Sequence, residues 1–124
     1  MAVTELWHLA ERPEWAEAVR TGSYRRSTRG LSLAEVGFVH CSYPDQLAGV
    51  AAAFYADAGD LVLLRIDPAG VPAEVRVEDG FPHVYGPIPI AVVTAAAPLT
   101  RDATGRLVLP EAQTYRRVVR RATT

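Results

Sequence analysis

Lysine is absent from this chain: all 13 basic side chains are arginine, in a sequence rich in alanine. That pattern reads as codon bias in a GC-rich genome. Arginine nevertheless suits phosphate and carboxylate, because its planar fork matches those groups. Cysteine is nearly absent too. With Cys41 alone no internal disulfide can form, which excludes a secreted disulfide scaffold. No apolar stretch approaches the roughly 20 residues needed to span a bilayer, and the first residues lack the basic region and apolar run of a signal peptide. A membrane partner is therefore not expected, and a cytoplasmic location is the default. An excess of charge is also missing. The net charge is −1 and the pI about 6.3, so no broad basic field makes nucleic acid a natural partner. Internal repeats and long linkers are lacking as well.

What is present fits one domain. The 124 residues, 49% hydrophobic and 22% charged, are enough to bury roughly two-thirds of the unfolded surface. The expected organisation is a single domain over 1–124, with an ordered core from about 4 to 110 and a basic tail over 111–124. Leu6-Trp7-His8-Leu9 reads as a first strand. A helix opens at Pro13, places Trp15, Ala18 and Val19 on one face, and stops at Gly22. Ser32 with Glu35 makes a capping box for a short helix ending at Gly37. Phe38-Val39-His40 is a short strand. Ser42 with Asp45 reads as a second capping box, ahead of a helix whose apolar stripe is Leu47, Val50, Ala51, Phe54 and Tyr55 and which closes at Gly59. Leu61 to Asp67 is a near-continuous apolar run, as in a central strand covered on both faces. Ala73 to Glu78 alternates, with Val75 and Val77 on one side and Glu74, Arg76 and Glu78 on the other. Asp79-Gly80-Phe81-Pro82 reads as a loop leading to His83. Ile88 to Ala97 is a further strand, and Leu99 with Leu107 to Leu109 form a hairpin around Gly105. Two main helices in the N-terminal half followed by strands predict an α+β fold with a mixed or antiparallel sheet.

Chemistry concentrates on three histidines. His8 interrupts an apolar strand, His40 ends one, and His83 follows Phe-Pro. Imidazole titrates near neutrality and serves in proton transfer, hydrogen bonding and metal binding. The spacings H-x-H, H-x-x-x-H and C-x-x-C are all missing, so no metal is expected. The helix start after Ser42 is a candidate anion site. Cys41 reads as a small buried hydrophobe. Trp7, Trp15 and Tyr24 suit packing, with Tyr24 also retained as a ligand contact. Ser42, Gln46, Arg65, Phe81 and Tyr85 complete the ligand-binding candidates, and His8, His40, His83 and Glu78 are the catalytic ones. A buried imidazole without hydrogen bonds costs on the order of 1–3 kcal/mol. One shared cleft avoids that cost three times over. His8, His40, His83 and Tyr85 are therefore expected to line a single pocket, with Glu78 or Arg65 near its rim.

These segments together resemble a family of small bacterial proteins of unknown function, DUF952. The resemblance rests on Leu6-Trp7-His8-Leu9, Trp15, Gly22-Ser23-Tyr24, Gly37-Phe38-Val39-His40-Cys41-Ser42 and Gln46. It continues through Phe54-Tyr55, Leu63 to Asp67, Glu78, Phe81-Pro82-His83-Val84-Tyr85-Gly86-Pro87, and the closing Asp102–Gly105–Pro110 segment. Its organisation is similar to that of the ADP-ribosyltransferase-like superfamily. That similarity implies an enzyme using NAD or an ADP-ribose-like nucleotide, with His8 in the first strand's role and His40 in the second's. The third role falls to Glu78 or to the His83 loop. A carboxylate there would stabilise an oxocarbenium-like ribose as nicotinamide leaves. The competing readings are a non-catalytic small-ligand-binding or interaction module and a biosynthetic enzyme acting without NAD.

Overall fold

A computed structural model describes residues 5–110; the expectations placed on residues 1–4 and on the tail lie outside the described residues. The chain opens with β1 (Leu6–Glu11) and α1 (Arg12–Thr21). Pro13 sits in the first turn of α1, and Gly22 ends it with a left-handed φ of 94°. Three short strands and a helical turn follow: β2 (Ser23–Tyr24), β3 (Arg26–Thr28), β4 (Leu31–Ser32) and α2 (Leu33–Val36). The Ser32–Glu35 capping box is present in full. Next come β5 (Val39–His40), α3 (Leu47–Phe54) and β6 (Leu61–Ile66). The last segments are β7 (Val75–Glu78), β8 (Phe81–Val84), β9 (Ile88–Pro89) and β10 (Val93–Pro98).

All strand pairs are antiparallel, in an α+β domain. β6 lies between β1 and β10, and β8 lies between β5 and β7. One bridge connects these two three-stranded sheets. Trp7 and Ser42 exchange both backbone bonds, at 2.7 and 2.8 Å.

The apolar run of β6 has the expected cause. Val62, Leu64 and Ile66 face one core cluster with Leu6, Ala10, Tyr24, Val39 and Val84. Leu61 and Leu63 face a second, with Trp7, Leu9, Leu47, Ala51 and Tyr55. A strand covered on both faces needs apolar residues at nearly every position, and Arg65 is the one exception in β6.

Several expectations are corrected. Ser42 does not cap the third helix, because its own N–H and C=O are committed to Trp7. The chain instead turns through a single 3-10 turn, Pro44–Gln46, where Gln46 Oε1 accepts from the Tyr43 N–H at 2.9 Å. α3 ends at Phe54 rather than near Gly59, and Phe54 is 66% exposed rather than in the core. Tyr55 takes the buried position. Asp79-Gly80 is not a loop start but a tight hairpin turn, with φ of 53° and 82°. Phe81 and Pro82 therefore belong to β8, as does His83. Pro82 is tolerated in this central strand because its missing N–H faces β5 where β5 ends, while its carbonyl accepts from Cys41 N–H at 3.0 Å. Val77 is 60% exposed, so β7 buries less than its alternation suggests. The long strand expected from Ile88 splits into β9 and β10 around a turn at Ile90–Val92. The hairpin around Gly105 reduces to one bridge, Arg101 with Leu107.

Candidate functional site

Period-two alternation puts half of the candidates on one surface. Phe38 and His40 of the β5 segment, Phe81, His83 and Tyr85 of the β8 segment, and Glu74, Arg76 and Glu78 of the β7 segment share one face of the small sheet. Val39, Val84 and Val75 turn the other way, into or against the core. His40 stands directly opposite His83. The neighbouring Cys41–Pro82 pair carries the backbone bond, so His40 and His83 form a non-hydrogen-bonded pair, the arrangement that brings side chains closest. Their rings meet edge to face with centroids 4.7 Å apart.

The His83 ring is fixed on several sides. Phe38 stacks on it at 4.0 Å and 15°. Its Nδ1 lies 2.8 Å from Glu78 Oε1; an ionised carboxylate only accepts, so Nδ1–H is the donor. The Tyr85 hydroxyl donates to the same carboxylate oxygen, and the Arg76 guanidinium lies over the Tyr85 ring at 4.5 Å. These bonds, from Tyr85 first and His83 second, hold the Glu78 pKa below its ordinary value.

His8 occupies a different place. β1 meets the segment that follows β5 at the Trp7–Ser42 bridge, and beyond that bridge β1 and β5 part. There the His40 carbonyl is met by a side chain: His8 Nδ1 lies 2.7 Å from it. A carbonyl can only accept, so Nδ1 carries the proton. Nε2 then accepts, and the Tyr24 hydroxyl donates to it at 2.8 Å. Burial at 2% exposure drives the His8 pKa down to about 4. His8 is thus neutral near pH 7, with both nitrogens engaged inside the protein. Burial also raises the Tyr24 pKa and pushes the Cys41 thiol up to about 12, so Cys41 is an unreactive buried group.

A cavity of about 360 Å³ opens at this split. His8, Leu9 and Thr28 line one part, His40, Ser42, Asp79 and Phe81 another, and Leu47, Val50, Phe54 and Tyr55 of the α3 segment a third. His40 is exposed, and its pKa is lowered by partial burial and by His83.

The structure brings His8, His40, Ser42 and Phe81 to this cavity. It sets His83, Tyr85 and Glu78 beside it, touching His40 through His83, rather than on its wall. Arg65 is not at the rim. It pairs with Trp7 across the β1–β6 sheet, is not among the lining residues, and holds Glu5 through two bonds of 2.9 and 2.8 Å. Gln46 is a strut: Oε1 holds Tyr43, and Nε2 donates to the Gly80 carbonyl at 2.8 Å. Tyr24 acts beneath the site, through His8. Sequence reasoning missed Phe38, Asp79 and Thr28, and placed Phe54 in the core. Reading Asp79-Gly80 as a two-residue hairpin would have found much of this, since it pairs Glu78 with Phe81 and Arg76 with His83 on one face. Among the described residues no group of three His, Cys, Asp or Glu is placed to hold a metal ion, and no helix is long and apolar enough to cross a membrane.

An antiparallel α+β domain with a histidine cluster at the split between two sheets is the class that these observations define. The chain belongs to DUF952, a family of proteins of unknown function, whose model matches residues 9–96. It is similar to protein CC0527 from Caulobacter crescentus at 30% identity. The crystal structure of that protein covers 85% of this chain and 94% of its own, with a TM-score of 0.71. Its solution NMR structure covers 84% and 91%, with a TM-score of 0.64. No curated protein matches the chain.

Proposed function

We propose that the chain is an enzyme of the ADP-ribosyltransferase-like class that binds NAD or an ADP-ribose-like nucleotide in the cavity between β1 and β5. One observation carries this reading: histidines from two separate strands, His8 and His40, meet at one cavity. Its volume of about 360 Å³ falls in the range of small-molecule sites, ~300–1,000 Å³. In this reading His40 is the group that touches the ligand, hydrogen-bonding a ribose hydroxyl or an amide. His8 is a positioning residue, because it holds the His40 backbone and has no free nitrogen. The third role goes to Glu78 and His83 together, with Glu78 orienting His83 and His83 packed against His40.

A second reading, a non-catalytic ligand-binding module, is favoured by one feature. The buried His8 and the doubly bonded Glu78 are both occupied by protein groups. Calorimetry with NAD, ADP-ribose and nicotinamide tests the shared premise. Binding in the micromolar to millimolar range is expected, weakened by His40→Ala. Absence of binding by all three overturns it. Release of nicotinamide from bound NAD in a single turnover separates the enzyme from the binding module.

A further inference from the structure

The charges on the cavity wall are one-sided. Its titratable groups are His8, His40, Asp79 and Tyr55. His8 is a buried neutral ring accepting from Tyr24, so it brings no positive charge. No arginine lines the cavity among the described residues, and the chain has no lysine. Arg29, next to the lining Thr28, donates to the Phe54 carbonyl at 3.4 Å and to Asp57 at 2.6 Å, so its charge is paired and it stays off the lining. Asp79 thus brings a carboxylate to a wall without a permanent cation. Aromatic rings supply the rest. Phe81 and Tyr55 line the cavity, and Phe54, although an aromatic residue on an apolar helix, stays 66% exposed there. Aromatic faces attract flat rings and cations, and a nearby carboxylate strengthens the preference for positive charge. A phosphate inside would meet a carboxylate and no guanidinium or ammonium.

We infer that this cavity selects a flat heterocycle of neutral or positive charge and excludes anionic groups, so that a nucleotide enters it ring first with its phosphates outside. Phe54 is the exposed stacking surface, and Asp79 sets the charge preference. The inference rests on the reading of the cavity as a ligand site, and it adds which end of a ligand the cavity accepts.

Three probes of nearly one shape test it: 1-methylnicotinamide (a cation), nicotinamide (neutral) and nicotinate (an anion). Each is titrated into the full chain while backbone amide resonances are followed, with NAD and ADP-ribose alongside. The cation is expected to bind at least about tenfold more tightly than nicotinate, with nicotinamide between them. Asp79→Asn, which tolerates the left-handed backbone here, should bring cation and anion to within about twofold. Phe54→Ala, at an exposed position, should weaken all three rings about tenfold, in line with loss of one stacking face, and keep their order. Nicotinate binding as tightly as the cation, or an order unchanged by Asp79→Asn, overturns the inference. If NAD and ADP-ribose bind while that happens, the nucleotide reading stands without it. If the rings follow the charge order and neither NAD nor ADP-ribose binds, the inference holds and the nucleotide reading falls. If no probe shifts the cavity amides, both fall.

Discussion

Replacing His8 by glutamine should remove much of the acid sensitivity of folding between pH 7 and pH 5. In the folded chain the His8 pKa is about 4, against 6.5 for the free side chain, because the ring is buried. Between these values the unfolded chain binds a proton there and the folded chain does not. Stability contributed by the neutral ring is therefore complete above 6.5, is lost as pH falls, and is gone below about 4. The full difference is worth about 3 kcal/mol, and the part lost between pH 7 and pH 5 about 2 kcal/mol. Domains of this size are stable by ~5–15 kcal/mol, so the loss is visible in urea denaturation. His40, whose pKa is also lowered, adds to the loss with the same sign. The lowered carboxylates Glu35, Asp57, Glu74, Glu78 and Asp102 contribute only where carboxylates titrate, at lower pH. Glutamine can donate to the His40 carbonyl and accept from Tyr24 without titrating. Urea midpoints for the native chain, His8→Gln and His40→Ala, each at pH 7, 6 and 5, isolate the His8 share. If His8→Gln loses as much stability as the native chain over this window, His8 is not held neutral by burial and the tautomer assignment fails.

Tyr24→Phe removes the donor to His8 Nε2 and should destabilise the fold by about 1–3 kcal/mol; a urea midpoint unchanged from native would show that water or another group serves that nitrogen. Gly86→Ala would set a Cβ 2.7 Å from the Ala73 Cβ and should cost about 1–3 kcal/mol through overpacking, read as a lower Tm. Asp79→Val forces a β-branched side chain into a left-handed turn at φ 53° and should lower stability more than Asp79→Asn; equal melting temperatures would contradict the turn assignment. Arg65→Met, outside the cavity lining, should leave affinity for any cavity ligand within about twofold while reducing stability; calorimetry with the best ligand checks it.

Residues whose role follows from short-range rules were legible in the sequence. Ser32 and Glu35 cap α2, Gly22 ends α1, and the apolar run of β6, interrupted by Arg65 alone, reports a strand buried on both faces. The short strands from Ser23 to Ser32 were less so, because two- and three-residue strands leave too little alternation to read. Ser42 misled for a tertiary reason: a good local cap is overruled when its backbone groups pair with Trp7, far away in the chain. Phe54 misled because an apolar stripe cannot distinguish a core contact from an aromatic at a cavity mouth. The gathering of histidines was legible in part. Alternation places His83, Glu78 and Tyr85 on one face, but only the pairing of β5 with β8 puts His40 against His83. Only the parting of β1 from β5 turns His8 into the partner of the His40 carbonyl. Arg65 failed as a rim residue because its register sets it beside Trp7, where Glu5 holds its guanidinium, and register along β6 depends on tertiary pairing.

Mapping of amide chemical-shift changes on addition of NAD or ADP-ribose bears most directly on the proposed site. The account predicts shifts centred on Thr28, His40 to Ser42, Phe54 to Tyr55 and Asp79 to Phe81, lost in His40→Ala, with Arg65 undisturbed. Shifts centred instead on the groove between α3 and Arg101–Leu107, or no shift with either ligand, would contradict it.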